Sequence, residues 1–319
     1  MELVRHDPST ADAWDLVVRR SRNGYFQFLR PYMDYHADRF EDASYLVRHK
    51  GRWVAAVPGH LLGSDGWASH RGLSYGGMVL SPELQTPDAI EVFRLLNRDL
   101  AERGIQRTFW RPVPWIHHRE PSEELPYLLF RQGARLVARN LSTAIQVRTH
   151  PDFQRLRRRR IRSALDAGLV CRPSEDLDAF WPLVEMRLES KYGLSPVHSL
   201  EEVRLLAGRL PEHIRLFGVY SGERLLSGCL AYLDDPVFHL QYLHASDEGR
   251  ELGAPDLLVD WMLREPAASF RWLHFGHSCE RGGEFLNRNL LFFKEGFGGR
   301  PVVLDEWECD PRTDPFADG

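Results

Sequence analysis

The sequence has no apolar run of about eighteen residues, so no stretch of it has the length and character of a membrane-spanning helix. Its first residues, Met1-Glu2-Leu3-Val4-Arg5-His6-Asp7-Pro8, lack the apolar core of a secretory signal. Cysteine is scarce. Cys171, Cys229, Cys279 and Cys309 stand apart with no CxxC spacing, which argues against a disulfide framework and against a thiolate zinc site. The neighbouring His117 and His118 have no acidic or thiol partner at helical spacing, so no metal is expected there. These absences lead to the expectation of a soluble, cytoplasmic protein without a metal.

What is present is ample core and an uneven charge. The 319 residues, 43% of them hydrophobic, suffice for two ordinary domains. Residues 1–170 carry 26 Lys and Arg against 19 Asp and Glu, a balance of +7, and the rest of the chain carries −11. A basic half suits a polyanion, because neutralised phosphates release counterions, and it also suits plain solubility. Six arginines lie between Arg155 and Arg162, and four of them, Arg155, Arg158, Arg159 and Arg162, fall on one helical face. That face is either an RNA or phosphate contact or an ordinary solvated surface.

Periodicity divides the chain near Thr149-His150-Pro151 into halves that read alike. In the first, helices are expected over 10–22, 88–103 and 123–132, a hairpin turning at Lys50-Gly51, and strands over 72–79, 108–110 and 136–147. In the second, helices are expected over 177–192, 200–209, 255–263 and 284–294. A hairpin should run over 214–232, with strands over 238–245, 271–275 and 302–309. On the strand 238–245, strict alternation puts His239 and Gln241 on one face and Tyr242 and His244 on the other.

The C-terminal run Leu291-Phe292-Phe293-Lys294-Glu295-Gly296-Phe297-Gly298-Gly299 follows Trp272-Leu273-His274-Phe275-Gly276 by a helix's length. A lysine among aromatic rings can sit in low dielectric and present its donors to a developing oxyanion or a phosphate. The same residues also make an ordinary helix end with Lys294 reaching to water.

This run, with the strand after it, resembles the C-terminal signature of the Fem peptidyltransferases and their relatives in the GNAT acyltransferase superfamily. The stretch from Leu156 to Val170 is similar to the basic helix and strand that open the family's second domain, and Ser74-Tyr75-Gly76-Gly77 matches more weakly. The resemblance implies an α/β (α+β) chain of two tandem GNAT-like domains, 1–150 and 151–319, each a mixed, mostly antiparallel sheet flanked by helices. It implies that Lys294 stabilises the tetrahedral adduct of acyl transfer, with the Phe293 main chain beside it. It implies aminoacyl-tRNA as donor substrate and no separate cofactor, and as acceptor the amine of a small molecule or peptide precursor. A nucleotide-linked acceptor would need phosphate-binding groups, for which Arg30, Tyr32 and Tyr35 are the first-half candidates.

Acyl-CoA-dependent relatives carry R/Q-x-x-G-x-G/A at the helix after the central strand, whose amides cradle a pyrophosphate. Here Arg250 and Gly253 fit that pattern, but Pro255 removes an amide and Asp247, Glu248, Glu251 and Asp256 add negative charge. Acyl-CoA as donor is therefore the rival reading, and an idle domain pair that only binds RNA or a metabolite is a third. For the attacking amine's proton, Tyr242, His244, His274, His277 and Glu280 are candidates, His274 and His277 also as substrate-binding residues. Trp115, in its proline-bounded loop, either lines an acceptor pocket or packs that loop. The acyl group, the acceptor and the oligomeric state are not legible.

Overall fold

The structure, a computed structural model, describes residues 1–149, 152–193 and 195–316. The expected boundary at His150 and Pro151 lies outside the described residues. Two compact units form, Met1–Asn140 with Arg281–Glu284 and Val303–Gly319, and Leu141–Glu280 with Phe285–Val302. A single cut near residue 150 is thus replaced by a discontinuous division. It arises because one strand of the first half continues into the second unit and the last strand returns to the first.

In the first unit, β1 (Glu2–Arg5) precedes α1 (Ala11–Arg20), the short α2 (Arg30–Met33), and the hairpin of β2 (Tyr45–His49) and β3 (Arg52–Val57). Lys50 and Gly51, at φ 49° and 78°, close that hairpin with the positive dihedrals a tight two-residue turn demands. Next come β4 (His60–Leu62), β5 (Gly66–Ala68), β6 (Val79–Leu80), α3 (Thr86–Glu102), β7 (Arg107–Trp110), α4 (Glu124–Arg131) and β8 (Arg135–Gln146). One sheet has the order β1-β2-β3-β6, and Trp67, Phe93 and Trp110 are buried in the core behind it. The strand expected over 72–79 shrinks to β6. A side chain at Gly76 would lie 1.6 Å from the Ser69 carbonyl oxygen, and Gly77 sits at φ 103°, so that backbone cannot run as a ladder.

The second unit takes β8 from Leu141 onward, then α5 (Arg155–Asp166), β9 (Val170–Ser174), α6 (Leu177–Tyr192), α7 (Leu200–Arg209), β10 (Ile214–Ser221), β11 (Arg224–Asp234) and β12 (Val237–Ala245). It continues through α8 (Asp247–Leu252), α9 (Ala254–Arg264), β13 (Trp272–His277), the small strands β14 (Cys279–Glu280) and β15 (Phe285–Leu286), α10 (Arg288–Glu295) and β16 (Arg300–Cys309). Its strands are ordered β8-β13-β12-β11-β10-β9. Among the described residues of these strands, β12 and β13 run parallel and the other pairs antiparallel. On one face α5 and α9 bury Ile161, Ala164, Leu257 and Leu258 against Phe238 and Leu240. On the other, the Phe180 ring of α6 lies against Gly228, where a side chain would meet it at 2.4 Å.

Three expectations change here. A separate α8 precedes α9, its Gly249 amide capped by the Ser246 side chain. The helix expected over 284–294 starts only at Arg288, because Gly282 and Gly283 adopt positive φ and the Asn287 side chain caps the Leu290 amide. The alternation on β12 breaks between Leu240 and Tyr242, since Tyr242 pairs with Leu230 but Leu240 with Ala231. His239 pairs with Tyr232, so His239, Tyr242 and His244 share one face rather than two.

Candidate acyl-transfer site

The parallel strands β12 and β13 pair only from Val237 to His239 against Trp272 to His274. Beyond that point β12 runs to Ala245 and β13 to His277 with no pairing between them. The sheet therefore opens into a fork whose base is His239 and His274.

One prong carries a bulge. His274 pairs with Ala144 and His277 with Ser142, so Phe275 and Gly276 stand opposite Thr143 alone. Gly276 takes φ 71°, a conformation a side chain disfavours. The bulge lets two successive carbonyls converge. Lys294 Nζ donates to Gly276 O at 2.8 Å and to His277 O at 2.7 Å. Lys294 is 4% exposed, and burial brings its pKa down from the ordinary lysine value to about 7. Behind it, Phe275, Phe293 and Phe297 stack edge-on or offset with centroids 5.1 to 6.4 Å apart. In its ammonium form this lysine has one N–H left after the two carbonyls, which it can donate to a developing oxyanion, and its lowered pKa lets it exchange a proton close to pH 7.

The base of the fork is a hydrogen-bonded chain. His239 Nδ1 and His274 Nδ1 share one bond of 3.0 Å, and His274 Nε2 is joined to the Ser142 hydroxyl. Ser142 and His274 are fully buried. Burial, with Lys294 nearby, lowers the His239 pKa to about 4, so the ring is neutral at pH 7.

At the α8–α9 corner, where a pyrophosphate cradle would lie, the chain's own side chains fill the helix start. Arg157 Nη1 reaches Asp256 Oδ1 at 2.7 Å and Arg160 Nε reaches Asp256 Oδ2 at 3.2 Å. Arg160 also donates to the Arg250 carbonyl. Gly253 lies so close to α5 that a side chain there would meet the Arg160 carbonyl at 2.4 Å. Pro255 takes one amide from the first turn. With the two arginines engaged by Asp256 and one amide missing at Pro255, these residues do not offer the open backbone cradle that a coenzyme A pyrophosphate uses.

The sequence-derived candidates sort as follows. Lys294, Phe293, His274 and His277 come together at the bulge; His277 Nδ1 bonds the Cys279 carbonyl at 2.9 Å while its own carbonyl holds Lys294. Tyr242 lies on β12 with its hydroxyl 2.8 Å from His198 Nδ1 and its ring edge-on to Trp181. His244 is its neighbour on the same face, the ring centroids 6.4 Å apart. Arg155, Arg158, Arg159 and Arg162 are all exposed on α5, the shared face expected of them.

Arg250, expected as a phosphate ligand, bonds Asp247 and donates to the Ala245 carbonyl at 2.6 Å. Arg30, a first-half candidate, lies in the first unit. It is 8% exposed and its charge is matched by Asp34 and by Asp42, the latter at 2.6 Å. Tyr35 packs against Tyr32 and His36 in the same unit. Trp115 is 50% exposed on its loop, and His117 and His118 beside it point inward. Ser142, His239 and Arg157 were not among the sequence-derived candidates, and Asp256 was read only as negative charge near the helix start, without its arginine partners. For Arg157 a signal existed, since it stands four and seven residues before Ile161 and Ala164, on the inward face of the arginine run.

Among the described residues, no helix is long and apolar enough to cross a membrane, and no cluster of three or more His, Cys, Asp or Glu could hold a metal ion. Residues 152–284 match the model of the acetyltransferase (GNAT) domain. No curated protein sequence matches the chain. Among solved structures, FemX superposes with a TM-score of 0.69 at 13% identity over 97% of each chain. L-PGS from Bacillus licheniformis gives 0.62 at 10% identity, over 97% of this chain and 94% of the other. A tandem GNAT protein from the clavulanic acid biosynthesis pathway gives 0.56 at 12% identity, over 98% and 99%. These superpositions show a shared fold of GNAT type in tandem, and the domain match marks residues 152–284 as a GNAT acetyltransferase-type domain.

Proposed function

We propose that this protein transfers an aminoacyl group from aminoacyl-tRNA to the amine of a small molecule or peptide precursor, in the cytoplasm where charged tRNA is found. The observation that carries the choice of donor is the Arg157–Asp256–Arg160 cluster, which fills the helix start that a coenzyme A pyrophosphate would use. The exposed arginine face of α5 supports the same reading, as do the fold likenesses to FemX and L-PGS. The donor is a substrate, so the reading calls for no cofactor.

In this reading the acceptor amine attacks the ester carbonyl carbon at the fork, forming the C–N bond and an oxyanion. Lys294 Nζ, held by the Gly276 and His277 carbonyls, donates to that oxyanion. The adduct collapses with cleavage of the C–O bond to the ribose, whose oxygen takes up the proton the amine gives up. A pKa near 7 suits Lys294 to carry that proton between them.

The GNAT acetyltransferase match over 152–284 favours a second reading, with acyl-CoA as donor. A donor assay separates them: purified protein is offered charged tRNA or acetyl-CoA with a panel of amines. Consumption of aminoacyl-tRNA is expected. Consumption of acetyl-CoA alone, or micromolar coenzyme A binding by calorimetry, would overturn the first reading.

A further inference from the structure

The bulge that presents two carbonyls to Lys294 needs something to hold it. A bulged strand is locally unpaired and free to change register, and Gly276 adds backbone freedom at its tip. Ser142 is the backbone partner of His277, just after the bulge, while its hydroxyl bonds the ring of His274, just before it. That side-chain bond therefore crosses the bulge diagonally and ties its two ends to one residue of β8. The other ring nitrogen of His274 is held by His239 on β12, at the last paired position before the fork opens. His239 in turn lies near the bulge itself, its Cε1 being 3.5 Å from where a side chain at Gly276 would begin.

We propose that the Ser142–His274–His239 chain is the positioning device of the acyl-transfer site, a staple that fixes the β13 bulge and with it the two carbonyls that orient Lys294. All three members are positioning residues acting through the backbone of Gly276 and His277. The charged and titratable groups around them are consistent with a chain that works in its neutral form. Lys294, His277 and Gln241 surround His239, and Tyr232 faces its ring from β11 at 6.3 Å. Around Lys294 stand Cys279 and His239. An imidazolium in the chain would face the Lys294 ammonium across this buried space, and removing the staple would loosen the bulge and admit water to the lysine.

This inference rests on the Lys294 reading above but is tested without any donor. The sequence has just three lysines, Lys50, Lys191 and Lys294, so protein labelled with 13C at lysine Cε gives a spectrum in which Lys294 is assigned by its loss in Lys294→Arg. In the unaltered protein Lys294 should titrate near 7. In Ser142→Ala, which deletes only one oxygen, and in His274→Gln, the midpoint should rise by about one unit as water reaches the ammonium. The Lys50 signal should not move. An unchanged Lys294 midpoint in both folded variants would overturn the proposal, even with lower melting temperature or turnover, because a merely structural role costs stability without retuning the lysine. A shifted midpoint in a protein that proves to use acetyl-CoA would leave the staple standing and remove the tRNA reading.

Discussion

Arg157 and Asp256 form an ion pair of 2.7 Å in which the two side chains are 7% and 3% exposed. The guanidinium lies 5.0 Å from the Phe293 ring centre and 5.7 Å from that of Phe297, so one residue of α5 packs against both the α9 start and the aromatic backing of Lys294. Burying a charge with its partner in place is tolerable, whereas stranding it is not. Asp256→Asn should therefore destabilise the protein by about 3–5 kcal/mol, and Arg157→Met/Asp256→Leu should recover much of that loss. Urea denaturation of the three proteins measures it, and a double variant no better than Asp256→Asn would show that packing, not stranded charge, decides.

Lys294→Ala should fold and lose turnover by about 100- to 1000-fold, the loss seen when one preorganised donor to an oxyanion is removed. Single-turnover acyl transfer with the accepted donor checks it. Wild-type-like rates would remove Lys294 from the chemistry.

The same lysine should cost stability in a pH-dependent way. Its folded pKa, about 7, lies below the unfolded value of 10.5, so between these limits the unfolded chain binds the extra proton and stability rises with pH. Below pH 7 the full cost is present, up to about 5 kcal/mol for the shift as it stands. Lys294→Met should therefore be stabilising at pH 6 and lose that advantage towards pH 10. Melting curves at the two pH values give the difference, and a pH-independent gain would mean that Lys294 is not held in a low-pKa state.

The first unit carries a separate acid sensitivity. His60 and His70 are buried with ring centroids 5.2 Å apart, and neither ring nitrogen of His60 has a hydrogen-bond partner among the described residues. Burial lowers their pKa values to about 4 and about 3. The unfolded chain takes up protons that the folded unit refuses, so stability should fall as pH drops from 6.5 towards 4. His60→Leu should flatten that fall by roughly one proton's slope. Denaturation midpoints at pH 7.5 and 4.5 test it; an unchanged pH dependence would place the acid sensitivity elsewhere.

Arg158→Ala/Arg159→Ala should weaken binding of charged tRNA and flatten the log-log salt dependence by roughly 1.5, with a slope of about 0.7–0.9 for each lost phosphate contact. The acceptor's affinity should not change. Unchanged tRNA affinity and slope in the double variant would make the α5 face a solvated surface.

Much of this was legible from residue order alone. The α1, α3 and α4 helices, the Lys50-Gly51 hairpin, β10 to β12 and the exposed arginine face follow from local periodicity and turn chemistry, which a chain carries wherever it folds. The aromatic run around Lys294 likewise marked the lysine before any pairing was known. What needed the tertiary structure were relations between strands. Nothing local says that Tyr242 skips a register position, that Phe275 and Gly276 face Thr143 alone, or that Ser142 meets His274. Bulges and cross-strand hydrogen bonds depend on the partner strand's alignment, and that alignment is fixed by burial of whole faces rather than by either strand's own residues. Hence residue order pointed to Lys294 and to acidic charge at the α9 start, while the fork, the two carbonyls that hold the lysine and the pairing of Asp256 with Arg157 emerged only from the folded chain.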